Sequence, residues 1–270
     1  MAKVSIIMGA FRAVGTMTPA MESILAQTYS DWELWICDDG SGGDTYRELL
    51  QWKEKDARIH VLQNEKNRGL AQTLNLCLEQ ADGRYIMRLD TDDKALPSRM
   101  ATQVAFLEAH SEYAMVGSAL EMFDEDGVWG KRVLPESPDL FDVWKGHVFA
   151  HPSMMIRTDA IKEVGGYTVS DKTRRTEDYD LWCKLYAAGY RGYNLREPLT
   201  QYYESTKSYG VRKFRYAVDE YHLRRWWAKK MQIPVSRRLY VFRPIIAGLV
   251  PAALKREKHR RQFAKGKRHA

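Results

Sequence analysis

The chain has 270 residues, 44% hydrophobic and 29% charged, a balance that excludes a disordered chain and provides for a substantial core. Its net charge of +7 is unevenly placed: residues 255–270 hold eight Lys or Arg against one acid, Glu257, so the excess belongs largely to a tail. Cys37, Cys77 and Cys183 are far apart and share no metal-ligand spacing, which argues against a disulfide framework and fits a reducing cytosolic setting, and no uncharged apolar stretch reaches the ~20 residues of a membrane span.

In chain order, residues 4–8 are an apolar run that predicts a strand, and the opening MAKVSIIMGAF is too short and too strand-like for a signal peptide. Residues 18–29 have helical spacing, with Thr18 before Pro19 placed to cap them. A strand is predicted at 33–37, a helix at 44–55 and a strand at 59–62. Leu70, Leu74, Cys77, Leu78 and Ala81 then mark one helix face before a fourth strand at 85–89. A strand thus recurs roughly every 25–30 residues, which predicts βαβ units and a parallel sheet covered on both faces. The second half is less regular, with helices at 97–110 and 178–188, strands at 114–122, 128–134 and 154–156, and a long aromatic-rich helix at 211–231.

Ligands of such sheets bind at the carboxyl ends of the strands, and three polar clusters fall there, at 9–12, 38–41 and 90–93. The last, Asp90-Thr91-Asp92-Asp93, puts three like charges in four positions. It reads either as a polar turn with a helix cap or as a divalent-metal site, since Mg²⁺ and Mn²⁺ take oxygen ligands and a carboxylate pair plus substrate phosphates is a common set. Asp38-Asp39-Gly40-Ser41 reads as a turn, or as a carboxylate accepting hydrogen bonds from a base or ribose. Thr176-Glu177-Asp178 opens a helix: Thr176 is placed to cap it, the acids suit its dipole, and one acid facing a cleft can serve as a general base. His151 in AHPSMMIR is a structural histidine, a metal ligand or a phosphate donor. Residues 239–254 are apolar apart from Arg243 and precede the basic run, a pattern that fits either a helix with a solvated tail or a membrane-surface anchor. No nucleic-acid module is visible.

Taken in order, the stretches VSIIMGAF, SILAQTYSDWELWICDDGS, NRGLAQTLNLCLEQADGRYIMRLDTDD, HPSMMIR, VGGY and TEDYDLW resemble the family 2 inverting glycosyltransferases of the GT-A fold, over residues 4–203. The resemblance implies an α/β fold with a Rossmann-like, mostly parallel central sheet flanked by helices. It implies a catalytic domain at 1–210, with a nucleotide-sugar half at 1–95 and an acceptor half at 96–210. Residues 211–270 would be a helical, basic extension that associates with a membrane surface. Ala10 and Phe11 would border the nucleotide, Asp39 would bind the uracil of a UDP-sugar, and Asp90 and Thr91 would lie in the nucleotide site. Asp92 would contact Mn²⁺ or Mg²⁺, with Asp90 shared between metal and ribose. Asp178 would be the catalytic base, with His151 and Glu177 supporting the acceptor or diphosphate.

The implied reaction moves one sugar from a UDP-sugar, with inversion, to a saccharide hydroxyl, on a lipid-linked acceptor of surface-polysaccharide assembly at the cytoplasmic membrane face. The chain departs from the pattern in having Gly9 and Arg12 in the first motif, and Leu74 where an Arg often precedes Asn75; Arg68 is placed to take over that nucleotide contact. HLRRWW at 222–227 nearly matches the Gln-x-x-Arg-Trp element of processive members, but with His222 for Gln it reads as an amphipathic helix edge. Two other readings are a metal-dependent phosphoryl-transfer enzyme using Asp90 and Asp92, which leaves the 38–41 and 176–178 clusters without a role, and a binding protein without turnover.

Overall fold

The computed structural model describes residues 3–204 and 214–250. The first half alternates as expected: β1 (Val4–Ala10), α1 (Thr18–Leu25), β2 (Trp32–Asp38), α2 (Asp44–Lys55), β3 (Ile59–Gln63), α3 (Leu70–Gln80) and β4 (Tyr85–Arg88). Then come β5 (Lys94–Ala95), α4 (Arg99–Ala109), β6 (Met115–Asp124), β7 (Gly127–Arg132), α5 (Leu140–Lys145), a 3₁₀ turn (His151–Ser153), β8 (Met155–Arg157), α6 (Thr158–Glu163), α7 (Glu177–Ala187) and β9 (Gly192–Tyr203). The chain closes with α8 (Phe214–Lys230), a 3₁₀ segment (Val235–Phe242) and α9 (Arg243–Leu249). The start of the helix expected at 211–231, the boundary at 210 and the basic run at 255–270 lie outside the described residues.

One sheet runs through the molecule in the order β3-β2-β1-β4-β8-β6-β9-β5, with β7 beside β6. β1 is buried on both faces, which is why VSIIMGA is apolar without a break. Its Val4, Ile6, Met8 and Ala10 pack with Met17, Met21 and Ile24 of the α1 region, while Ile7 packs on the other face with Leu74 and Cys77 of α3. Pairing is parallel from β3 to β4 and between β6 and β9, as expected of βαβ units. Antiparallel pairings join β4 to β8, β8 to β6, β6 to β7 and β9 to β5. The β6–β7 link is too short for a crossover, so it can only be a hairpin; its turn is set by Asp124, whose carboxylate accepts the Asp126 N–H at 2.9 Å.

Two expectations need correction, and one strand has no counterpart in the sequence reading. Thr18 is the first helical residue and makes no cap; its hydroxyl faces Glu48. α1 stops at Leu25 because Gln27 turns its side-chain amide to the Leu96 carbonyl (2.8 Å) and Thr28 gives its N–H to Pro97 (3.0 Å). β9, twelve residues long and paired to β6, was not anticipated. Its register shifts beside Ala119, which lies opposite Pro198, a residue with no N–H for a ladder.

Candidate active site

The order β2-β1-β4 puts the carboxyl ends of three strands side by side, and all three polar clusters sit there. The loops are tied together. Asp39 N–H donates to Ala10 O (2.8 Å), Arg12 N–H to Ser41 Oγ (2.9 Å) and Ala13 N–H to Thr45 Oγ1 (3.2 Å). Asp38 is the turn residue, its fully buried carboxylate accepting the Ser41 N–H and the Gln63 side-chain amide. Asp39 has a different task. Its Oδ1 accepts from Asn64 Nδ2 (2.9 Å) and Arg68 N (2.8 Å), and its Oδ2 from Gly69 N (2.9 Å). A carboxylate has about four lone-pair sites, so these bonds leave one, on Oδ2, for a ligand donor. Gly40, at φ 70°, admits the Lys66 backbone so closely that a Cβ would stand 2.4 Å from its carbonyl carbon.

The cleft at this edge has a volume of about 870 Å³. Ala10, Phe11, Asp39, Arg68 and Glu177 all line it, together with Arg174 and Arg175 from the opposite wall. Asp178 lines a smaller recess of about 120 Å³, and Arg175 lines both spaces. Asp90, Thr91, Asp92 and His151 line neither; they lie at the end of β4 and in the 3₁₀ turn. The unusual Gly9 has a packing reason, since a Cβ there would press on Leu70 (3.0 Å) and Thr73 (3.3 Å) of α3. Arg12 has φ 53°, a left-handed conformation that Asn adopts more readily than Arg.

The three acids after β4 separate by environment. Asp90 pairs with Arg88, which is 1% exposed on the same face of the chain two residues earlier. Arg88 is thus the internal counter-charge of the cluster. Asp92 is exposed beyond the end of β4; the protein around it, and then the charge of Asp90, push its carboxyl above the ordinary range. Asp93 is not a turn cap. It is buried, and its Oδ1 accepts the Tyr203 N–H of β9 at 2.8 Å.

A divalent ion fits this set. Among the described residues no three His, Cys, Asp or Glu converge on a point; an ion here would have at most the carboxylates of Asp92 and Asp90, and phosphate oxygens of a ligand would have to complete the shell. A cation there reverses the effect that raises the Asp92 carboxyl.

Tyr167 is the residue that sequence reading passed over. Its backbone is clamped by Asn75, which gives Nδ2–H to Tyr167 O and accepts Tyr167 N–H, both at 2.8 Å. Gly166 permits that approach, since a Cβ would stand 2.7 Å from Asn75 Oδ1. The Tyr167 hydroxyl lies 2.7 Å from His151 Nε2 and feels the charges of Arg88, Asp178, Asp90 and Glu177, so it stands between the 90–93 and 176–178 clusters. Burial pushes the Tyr167 hydroxyl up; burial, then Arg88, hold the His151 ring well below its ordinary value. Both groups are therefore neutral. His151 is boxed by the rings of Tyr167 and Trp182, so its observed part is packing.

At the start of α7, Thr176 does not cap. Its hydroxyl donates back to Thr173 O (3.0 Å), and Asp178 Oδ1 instead accepts the orphan N–H of Tyr179 (2.8 Å). That bond fixes one oxygen of Asp178 on the helix terminus.

Residues 5–165 match the family model described as Glycosyl transferase family 2. The chain is 40% identical over 261 residues to EpsE of Bacillus subtilis, named only as a glycosyltransferase, covering 96% of this chain and 94% of that one. It is 27% identical over 269 residues to WfgD of Escherichia coli, a UDP-Glc:alpha-D-GlcNAc-diphosphoundecaprenol beta-1,3-glucosyltransferase, with 98% of each chain covered. Among solved structures, S. aureus TarS 1-349 in complex with UDP-GlcNAc aligns with a TM-score of 0.67 at 19% identity, over 92% of this chain and 71% of that one, a likeness of fold.

Proposed function

The chain belongs to glycosyltransferase family 2 and has the GT-A fold, and from that premise we propose that it is a metal-dependent, inverting transferase that moves one sugar from a UDP-sugar to a hydroxyl of a lipid-linked saccharide during surface-polysaccharide assembly. The observation that carries this reading is that the carboxyl ends of β2, β1 and β4 stand side by side, with the loops after β1 and β2 and Glu177 at the start of α7 lining one cleft. UDP as carrier and a lipid diphosphate as acceptor anchor are what WfgD's name gives for that relative.

In this reading residues 1–95 form the donor half, 96–210 the acceptor half and 211–270 the extension. The open lone pair of Asp39 Oδ2 receives the uracil N–H, Phe11 and Ala10 flank the base, and Arg68 faces the phosphates. Thr91 and Asp90 hold the ribose side. Asp92, with Asp90, would hold Mn²⁺ or Mg²⁺, which when bound neutralises charge on the departing diphosphate. Asp178 takes the proton of the acceptor hydroxyl as its oxygen attacks the anomeric carbon from the face opposite the leaving group. A carbon–oxygen bond to the acceptor forms, the bond to the β-phosphate oxygen breaks, and UDP leaves. His151, through Tyr167, and Glu177 orient the space between. Turnover of UDP-glucose, UDP-galactose and their N-acetyl forms, with GDP-mannose as control, tests the donor class; preference for GDP-mannose overturns it.

Among the described residues no helix is long and apolar enough to cross a membrane. The C-terminal elements instead present Leu239 (76% exposed), Ile246 (63%) and Leu249 (69%) near Arg237, Arg238 and Arg243, which supports peripheral binding at the inner face of the membrane. Sedimentation with phosphatidylcholine vesicles containing phosphatidylglycerol is expected to capture the protein, and pairing Ile246→Asp with Leu249→Asp to weaken capture by about tenfold or more. Equal capture of both proteins rejects the anchor.

A further inference from the structure

The recess beside Asp178 is walled by α8, an element that the motif reading placed at an amphipathic edge. The residues that match the Arg-Trp motif do face outward: Trp226 is 49% exposed and Arg225 reaches only across to the Tyr221 hydroxyl. Their neighbours face in. Arg224 is 1% exposed and lines the recess with Glu220, Tyr179, Trp182, Phe149 and Asp178.

Arg224 is held on all sides. Nη1 donates to Trp144 O (3.2 Å) and Lys145 O (2.6 Å), two orphan carbonyls at the end of α5. Nε and Nη2 donate to Glu220 Oε1 at 3.1 and 2.8 Å, one turn earlier, so the buried charge is paired. Its guanidinium carbon lies 5.1 Å from the Tyr179 ring centroid, and the Tyr179 hydroxyl donates to Trp144 O as well (2.9 Å). Trp227 Nε1 donates to Asp180 Oδ1 at 2.8 Å. The two residues that follow Asp178 are therefore both fastened to α8. Gly146, at φ 81°, belongs to the same joint, because a Cβ there would stand 2.8 Å from Arg224 Nη2.

We propose that Glu220 and Arg224 are positioning residues through which the C-terminal helix holds Asp178 and the wall of its recess in place. The proposal rests on Asp178 being the base. Phe149, Tyr179 and Trp182 are buried in that wall, where Phe149 and Trp182 pack edge to face and the Arg224 guanidinium covers the Tyr179 ring, so packing and hydrogen bonds both fix it. Through Arg175 the recess adjoins the donor cleft. The C-terminal extension is then part of the catalytic unit as well as its attachment.

The test uses the full chain, the four UDP-sugars, and octyl glucoside, octyl galactoside and octyl N-acetylglucosaminide as acceptors. Glu220→Gln and Arg224→Lys should lower kcat/KM for the acceptor about 10–100-fold, as expected for a displaced base. Calorimetric UDP affinity should stay within about twofold, and hydrolysis of the donor by water should fall less than transfer. Gly146→Ala should give the same split without removing a charge. Unchanged acceptor kinetics, or parallel loss of UDP binding and transfer, overturns the positioning role. If Asp178→Asn is fully active, the base reading fails and this proposal with it; if Asp178→Asn is inactive while all three other variants are normal, only this proposal fails.

Discussion

Asp178→Asn is expected to lower sugar transfer by about 10²–10⁴-fold while leaving UDP affinity unchanged, the range typical of a lost general base. The substitution is nearly isosteric. Asparagine keeps an oxygen that can accept the Tyr179 N–H now bound at 2.8 Å, so the first turn of α7 should hold its shape. Asp178 lines the recess and not the donor cleft, which is why nucleotide binding should survive. Transfer kinetics and calorimetry with UDP check both halves of the expectation. A fully active variant sinks the assignment, and lost UDP binding would mean that the residue serves the fold or the donor instead.

Asp92→Asn should abolish the part of UDP binding that depends on Mn²⁺, so that affinity with the metal equals affinity with EDTA. A loss of at least about tenfold, ~1.4 kcal/mol, is expected, because a carboxylate that carries a cation bridging the diphosphate cannot be replaced by a neutral amide. The fold should not suffer. The Asp92 carboxyl is raised by its surroundings and by Asp90, so the protein already disfavours its charge, and the amide removes that conflict. Thermal melting at or above the wild-type temperature would separate loss of the metal from loss of structure. Unchanged Mn²⁺-dependent affinity would count against the metal site, and release of phosphate without sugar transfer would favour the phosphoryl-transfer reading.

Much of this could be read in the chain because β1, β2 and β4 are short apolar runs that end abruptly in polar residues. That contrast marks strand ends in a doubly covered sheet, and the ends carry the ligand. The residues that escaped reading did so for physical reasons. Arg88 sits inside an apolar strand and draws no assignment from sequence, although its spacing of two from Asp90 puts both on one face. Tyr167 was quoted within VGGY, but its role depends on Asn75 and His151, which lie 92 and 16 positions away. β9 lacks clean alternation and contains Pro198, so its pairing to β6 shows only in three dimensions. Arg224 lies within HLRRWW, which reads as an amphipathic edge because charged residues in a helix are ordinarily assigned to the wet face; here α5 supplies the carbonyls that let it be buried. Thr176 had a capping sequence, yet its hydroxyl found the Thr173 carbonyl first.

The central claim is direct attack on the anomeric carbon from the face opposite UDP, with Asp178 as the base. The most direct test is the anomeric configuration of the product formed from an α-linked UDP-hexose by the wild-type protein with Mn²⁺, read from the anomeric proton coupling in the NMR spectrum. The mechanism predicts a β-linked product. An α-linked product would mean retention and would contradict it.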